Sequence, residues 1–280
     1  MMRAGSAKRQ GIPMRSMLVL IAGLGLSAAA LPAAATITVL NQWHLGEADA
    51  GASAGGAGAA ATVDSVGGFN LNKVGAPMYS SDVTPRIGST LSMAFNGTTD
   101  EYMNSGVAST LTDNFGVEAW VKWNAGSPGS AAIVYNGNSS NSGWGIYQYG
   151  TMYGLLYGGN LGYSVTPVSN QWTELALVRS SGTTTFYVNG VPSFATATGP
   201  NVPAGGVAIG GNSLTSGTEL FNGKIDEVRI FSFAPGQFSA GDLNLPPPVA
   251  TPVLGQRALA LLALGLFGLA WLSLRRRISG

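Results

Sequence analysis

The chain has 280 residues, of which 41 are glycine, only 10% are charged and none is cysteine. The lack of cysteine excludes disulfides, thiol catalysis and cysteine-type zinc sites. The net charge of +1 conceals an asymmetry: eight of the fourteen lysines and arginines fall in the terminal segments, leaving six basic residues against thirteen acids between Thr36 and Ala250, a balance of −7. Such a surface repels phosphate backbones, so nucleic acid is not an expected partner, whereas a cation, a neutral glycan or a protein is.

Residues 1–16 carry four positive charges and no acid, Met17–Leu26 is apolar, and small residues lead into Ala33-Ala34-Ala35. This is the order of a secretory signal peptide over 1–35, with cleavage after Ala35 and the export machinery as first partner. The apolar run is short for a membrane anchor. A domain over 36–243 follows, large enough for one β-sandwich. Its early stretch 48–61 is almost entirely Ala and Gly, with few side chains able to pack, and reads as a mobile loop.

Beyond that loop, apolar runs alternate with Gly, Asn, Ser and Pro. Leu91–Phe95, Phe115–Trp123, Ala132–Tyr135, Gly145–Tyr149, Met152–Tyr157, Glu174–Arg179, Thr184–Val188, Val207–Ile209 and Lys224–Phe231 read as strands. Asn96-Gly97, Asn189-Gly190 and Asn222-Gly223 supply residues that accept the positive φ of tight turns. Many short strands, short links and no helical period predict two stacked antiparallel sheets.

The last run breaks parity. Ile225, Val228 and Ile230 stand at offsets of three and five, whereas a regular strand keeps one face on even offsets. One extra residue at Asp226-Glu227, a β-bulge, returns all three to the core. Asp226 then either orders a neighbouring turn or serves as an oxygen ligand for calcium. Asp64 and Asp100, on loops flanking early strands, could join it.

For catalysis, His44 is the single histidine and no G-x-S-x-G elbow exists. Glycosidases need two carboxylates facing one cleft, but Glu118 and Glu174 each stand alone on their strands, and Asp226 and Glu227 would alternate in a regular one. An enzyme is therefore not expected. Trp120 and Trp172 sit in strand blocks and read as packing residues. Trp144, Tyr147 and Tyr149 are the aromatic residues proposed for sugar stacking, with alternation placing Tyr147 and Tyr149 on one face and Trp144 on the other.

The order of blocks is more specific than any one of them. Leu91-Ser92-Met93-Ala94-Phe95-Asn96-Gly97, Phe115 to Lys122, Trp172 to Val178, Thr185 to Gly190, Ile209-Gly210-Gly211 and Phe221 to Ile230 follow one another in a succession that resembles the laminin-G-like, concanavalin A-like jelly-roll domains of bacterial surface proteins. The resemblance covers about residues 39–243. It implies a jelly-roll sandwich and a noncatalytic surface or matrix protein that binds a glycan or a protein. The alternatives are a carbohydrate-active enzyme on the same fold and a purely structural matrix component. It also implies a calcium ion, since related domains often hold one and Asp226 lies in the block that commonly contributes.

The C-terminal end begins with a proline-rich linker, 244–252, and continues as a tail over 253–280. Ala258–Leu274 is uncharged and is followed by Arg275, Arg276 and Arg277. As a helix it would span roughly 25 Å, a little under the ~30 Å hydrocarbon core, with the arginines held at the cytoplasmic side of the inner membrane. Proline, apolar helix and arginine cluster in that order resemble the bacterial IPTL-CTERM sorting tails. Pro252 and Leu254 match the tetrapeptide of that type, while Thr251 and Val253 depart from it. The resemblance implies transient anchoring, a membrane processing protease and delivery to the cell surface or extracellular matrix.

Overall fold

The computed structural model describes residues 37–124, 129–166 and 168–245. The signal peptide with Ala35, most of the proline-rich linker, and the sorting tail with Pro252, Leu254 and the three terminal arginines lie outside the described residues. Among the described residues no helix is long and apolar enough to cross a membrane.

Two antiparallel eight-stranded sheets make an all-β jelly-roll sandwich. The front sheet contains β1 (Thr38–Trp43), β4 (Met78–Ser80), β5 (Ser92–Asn96), β7 (Phe115–Trp123), β12 (Thr173–Ser180), β13 (Thr183–Val188), β14 (Val191–Thr196) and β16 (Asn222–Ser232). The back sheet contains β2 (Ala61–Thr62), β3 (Leu71–Val74), β6 (Glu101–Asn104), β8 (Ser130–Asn138), β9 (Ser142–Tyr149), β10 (Met152–Tyr157), β11 (Asn160–Val165) and β15 (Gly206–Ile209). Front strands run in the order β14-β13-β12-β7-β16-β5-β4, and back strands in the order β11-β10-β9-β8-β15-β6-β3-β2.

Alternation explains the core. Phe115, Val117, Ala119 and Val121 of β7, with Leu175 and Leu177 of β12, point inward against Ile133, Trp144 and Ile146 of the back sheet. Phe115 and Trp144 bridge the sheets with ring centroids 4.5 Å apart. Each buried large side chain contributes roughly 1.5–3 kcal/mol relative to exposure.

The outer face of the front sheet is covered as well. Residues 233–245 cross it as a strap, and Phe233 and Leu243 close over Ala176, Val178 and Phe231. Phe238 stacks on Phe231 at 6.1 Å. Asn244 and Leu245, within the stretch read as linker, pack here too: Asn244 N–H donates to Glu118 at 3.0 Å and its carbonyl accepts from Trp120 Nε1 at 2.9 Å. This second cover explains why β7 is buried along nearly its whole length.

The Ala/Gly-rich stretch 48–61 departs from its expectation as a mobile loop. It has few side chains to pack, but its backbone is held: Gly58 N donates to Pro77 O at 2.7 Å and Tyr79 N to Gly56 O at 2.9 Å. Buried Asp49 accepts from Val63 N and from the Tyr79 hydroxyl. Main-chain hydrogen bonds order it where apolar side chains could not.

Candidate functional site

The expected bulge is present. Asp226 faces Trp120 and Arg229 faces Glu118 across the β16–β7 ladder, so Glu227 and Val228 share the single residue between. Glu227 takes up the turn with a left-handed φ of 51°, a conformation that costs a non-glycine residue of order 1 kcal/mol and recurs at functional positions. Ile225, Val228 and Ile230 all reach the core.

The bulge also falls at a junction. On its other edge β16 pairs with β5 through Asn222–Ile225 and with β1 through Val228–Ser232. Asp226 and Glu227 lie in the gap, facing the segment that leaves β1 and the segment that enters β5. Glu47 arrives from the first, and its carboxylate oxygen lies with those of Asp226 and Glu227 inside a 4.8 Å cluster. Ser89 arrives from the second and donates to Asp226 Oδ2 at 2.7 Å. Glu227 is ringed by donors: Gln42 Nε2 at 3.1 Å, His44 Nδ1 at 3.0 Å and Arg86 Nη1 at 2.7 Å. The hydrogen bond to Glu227 raises the His44 pKa, against the effect of burial.

Asp226 is fully buried and its Oδ1 has no hydrogen-bond partner among the described residues. Burial, reinforced by Glu227 and Glu47, pushes its carboxyl up to about 8. An orphaned buried oxygen beside two carboxylates fits either a proton or a small oxygen-seeking cation. Glu47, exposed and held through one oxygen by the backbone N–H of Leu91 at 2.8 Å, completes such a set.

The two other residues expected to join Asp226 do not. Asp64 is saturated: Oδ1 accepts from Gln42, Val66 and Gly67 N–H, and Oδ2 from Phe69 N–H and Asn41 Nδ2. Burial acts to raise its pKa, but these hydrogen bonds outweigh it and hold the carboxyl below its ordinary range. It is the keystone of the β1–β3 loop, with no lone pair left for an ion. Asp100 is buried, its Oδ1 accepts from Ala76 N–H and the Thr99 hydroxyl, and it is not in the cluster formed by Glu47, Asp226 and Glu227. Glu47 takes the place foreseen for them.

Glu118 and Glu174 are neighbours rather than solitary. β7 and β12 pair so that Glu118 faces Ala176 and Glu174 faces Trp120, which places both acids on the outer face beneath the strap. Arg229 donates to Glu118 at 3.0 Å. Burial, then the Glu118 charge, pushes Glu174 up to about 8.

Of the three aromatic candidates, Trp144 is in the core, 0% exposed, with Nε1 bonded to Leu111 O at 2.8 Å. It stands on the face opposite Tyr147 and Tyr149, as alternation requires, and that face is the interior. Tyr147 is 4% exposed, packed with Ala132, Tyr135 and Leu156 on the outer side of the back sheet. Tyr149 alone stands out, at 48%. Its ladder partner Ser130 lines a groove of about 460 Å³ at the end of the sandwich, together with Thr98, Gln148, Glu219, Leu220 and Asn222. This groove was not legible in the sequence, because its walls come from the β5–β6 turn, the start of β8, the end of β9 and the loop before β16.

No curated protein matches the chain. Among solved structures, domain 4 of an extracellular arabinanase from Geobacillus stearothermophilus, in complex with arabinotriose, is 19% identical, covering 74% of this chain and 98% of its own, with a TM-score of 0.49. The binding domain of Paraclostridial Mosquitocidal Protein 1 is 12% identical over 73% of this chain, with a TM-score of 0.50, and this chain spans about half of its length (50%). The botulinum neurotoxin serotype D binding domain is 15% identical, covering 74% of this chain and 50% of its own, with a TM-score of 0.48. These are likenesses of fold. The family model described as the concanavalin A-like lectin/glucanases superfamily matches residues 96–237, more than half of the chain, and with that order of strands in hand the chain belongs to this superfamily.

Proposed function

We propose that this chain is an exported, noncatalytic surface or extracellular-matrix protein that binds a glycan in the groove at the end of its sandwich. The groove carries the reading. Its volume of about 460 Å³ lies within the range of ligand sites, hydroxyl and amide groups line it, and Tyr149, the ladder partner of the lining residue Ser130, is half exposed. Sugars present hydroxyl edges and apolar faces together, and this mixture of hydrogen-bonding groups and an aromatic face complements both. Membership of a superfamily of lectins and glucanases points to the same ligand class.

Binding is favoured over hydrolysis by the carboxylates a sugar could reach. Cleavage needs two of them about 5–10 Å apart across one cleft, and Glu219 is the only acid among the described residues lining the groove. Glu118, Glu174, Asp226 and Glu227 are each at most 1% exposed. The composition of the terminal segments supports export through the secretory machinery, transient inner-membrane anchoring by the apolar 258–274 segment, and a sorting protease that delivers the domain to the surface or matrix. At the bulge, calcium held by Asp226 with Glu47 would stabilise the fold in place of the buried proton.

The test is calorimetric or array binding of glycans to the protein and to Tyr149→Ala. The variant should bind about 5- to 10-fold more weakly, the equivalent of one aromatic contact, with an unchanged melting temperature. Undiminished binding would remove the groove from the argument. Hydrolysis of a bound glycan that disappears in Glu118→Gln or Glu227→Gln would replace the binding reading with an enzymatic one.

A further inference from the structure

The charge of the groove restricts what can fill it. Glu219 is the only charged residue among the described residues lining it, and no basic side chain of the described domain is available to it. Lys122 and Lys224 both pair with Asp82, Arg86 with Glu227, Arg229 with Glu118, and Arg179 with Asp113, while Lys73 donates to Gly58 O. A uronic, sialic or sulfated sugar would therefore meet an acid and no cation.

Glu219 is also presented with care. Its φ is 52°, a left-handed conformation that a non-glycine residue adopts at a cost. The loop that holds it is pinned on several sides: Ala132 N donates to Glu219 O at 2.9 Å, Asn212 N to Thr218 O at 3.0 Å, and Gly217 N to Glu101 Oε1 at 3.0 Å. Asn212 Nδ2 fixes Oε2 at 2.7 Å, and the other carboxylate oxygen has no hydrogen-bond partner among the described residues. A fixed acid with one open oxygen, in a domain of net charge −7, calls for a cationic group on the ligand.

Building on the groove reading above, we infer that the ligand is a glycan bearing protonated amines, an amino-sugar polymer at least partly free of N-acetyl groups, and that Glu219 receives the ammonium group. The amine donates to the open oxygen while hydroxyls of the same and adjacent rings meet Thr98 and Ser130, both exposed where they line the groove. The Tyr149 ring takes the apolar face of a neighbouring unit. A lysine-rich peptide would satisfy the carboxylate but would leave the hydroxyl- and amide-lined wall without complementary partners.

The experiment compares four probes by calorimetry at about pH 6: glucosamine oligomers, their N-acetylated counterparts, oligogalacturonate and a lysine oligomer. The glucosamine oligomer should bind about 10-fold more tightly than the acetylated one. That margin should shrink in high salt and vanish in Glu219→Gln, while Tyr149→Ala weakens both sugars. Melting of Glu219→Gln within a degree or two of the parent shows that the loop has kept its shape; if it does not, loss of the margin in high salt for the parent protein decides the point. Equal affinity for both sugars, with Tyr149→Ala still harmful, overturns the amine assignment and leaves the groove standing. Tighter binding of galacturonate or of the lysine oligomer overturns it as well. If no sugar binds, the groove reading and the amine assignment fall together.

Discussion

Replacing Asp226 with asparagine should stabilise the protein at neutral pH and do nothing at pH 4. Burial, aided by the charges of Glu227 and Glu47, lifts this carboxyl from 3.8 to about 8. Between those values the folded chain holds a proton that the unfolded chain releases. Stability therefore falls as pH rises through the window, by about 1.4 kcal/mol per unit, and levels off above the folded value. Summed to pH 7, the loss is on the order of 4 kcal/mol. Asparagine is neutral and has the same shape. Its carbonyl can accept from Ser89 as Oδ2 does now, and its amide can donate toward Glu47 and Glu227, where the present Oδ1 has no partner. Chemical or thermal unfolding from about pH 4 to 9 in chelator should show the two proteins equal at the acid end and diverging as pH rises. At ~2–4 °C per kcal/mol for a domain of this size, the variant should melt roughly 10 °C higher at neutral pH. Glu174 titrates in the same window but is common to both proteins and cancels. Added calcium should raise the parent's melting temperature and leave the variant's unchanged. Parallel stability profiles of parent and variant in chelator would refute the reasoning, because a solvated or well-partnered Asp226 has no such slope.

Two further outcomes concern the front sheet. Arg229→Met should destabilise the domain by about 3–5 kcal/mol, because Glu118, 0% exposed, would keep a buried charge without its cation. Adding Glu118→Gln should return part of that loss, as read by denaturant midpoints. A chain ending at Phe238 instead of Leu245 keeps that ring but loses the burial of Leu243 and the Asn244 hydrogen bonds to Glu118 and Trp120. At roughly 2 kcal/mol for the leucine and a similar amount for the charged hydrogen bond, the expected loss is about 4 kcal/mol, whereas a chain ending after residue 245 should melt like the full-length protein.

How far the sequence could be read depended on the range of the interactions involved. The bulge at Asp226-Glu227 was legible because parity within one strand is local: three apolar residues at offsets zero, three and five demand an extra residue. The partners of Asp226 were not, because Glu47 is delivered by the pairing of β1 with β16, across most of the chain. β1 itself escaped notice, as did β6 and β14. β6 carries a buried glutamate, Glu101, where an apolar residue would be looked for, and β14 is an edge strand that is mostly exposed.

The aromatic residues mark the limit of parity from the other side. Alternation separated Trp144 from Tyr147 and Tyr149 correctly but could not say which set faced the interior, because both faces of β9 are apolar. Only the stacking of Phe115 on Trp144 across the sandwich assigns them. The same blindness hid the pairing of Glu118 with Glu174. Each has no acidic companion on its own strand, and they meet because two strands more than fifty residues apart in sequence lie side by side under a strap contributed by the C-terminal end. Acids that look solitary in sequence can thus be buried and mutually coupled. Glu219, unremarkable in a loop of small residues, is by contrast only half-buried, with one carboxylate oxygen held by Asn212, so acids of like appearance in sequence end in opposite environments.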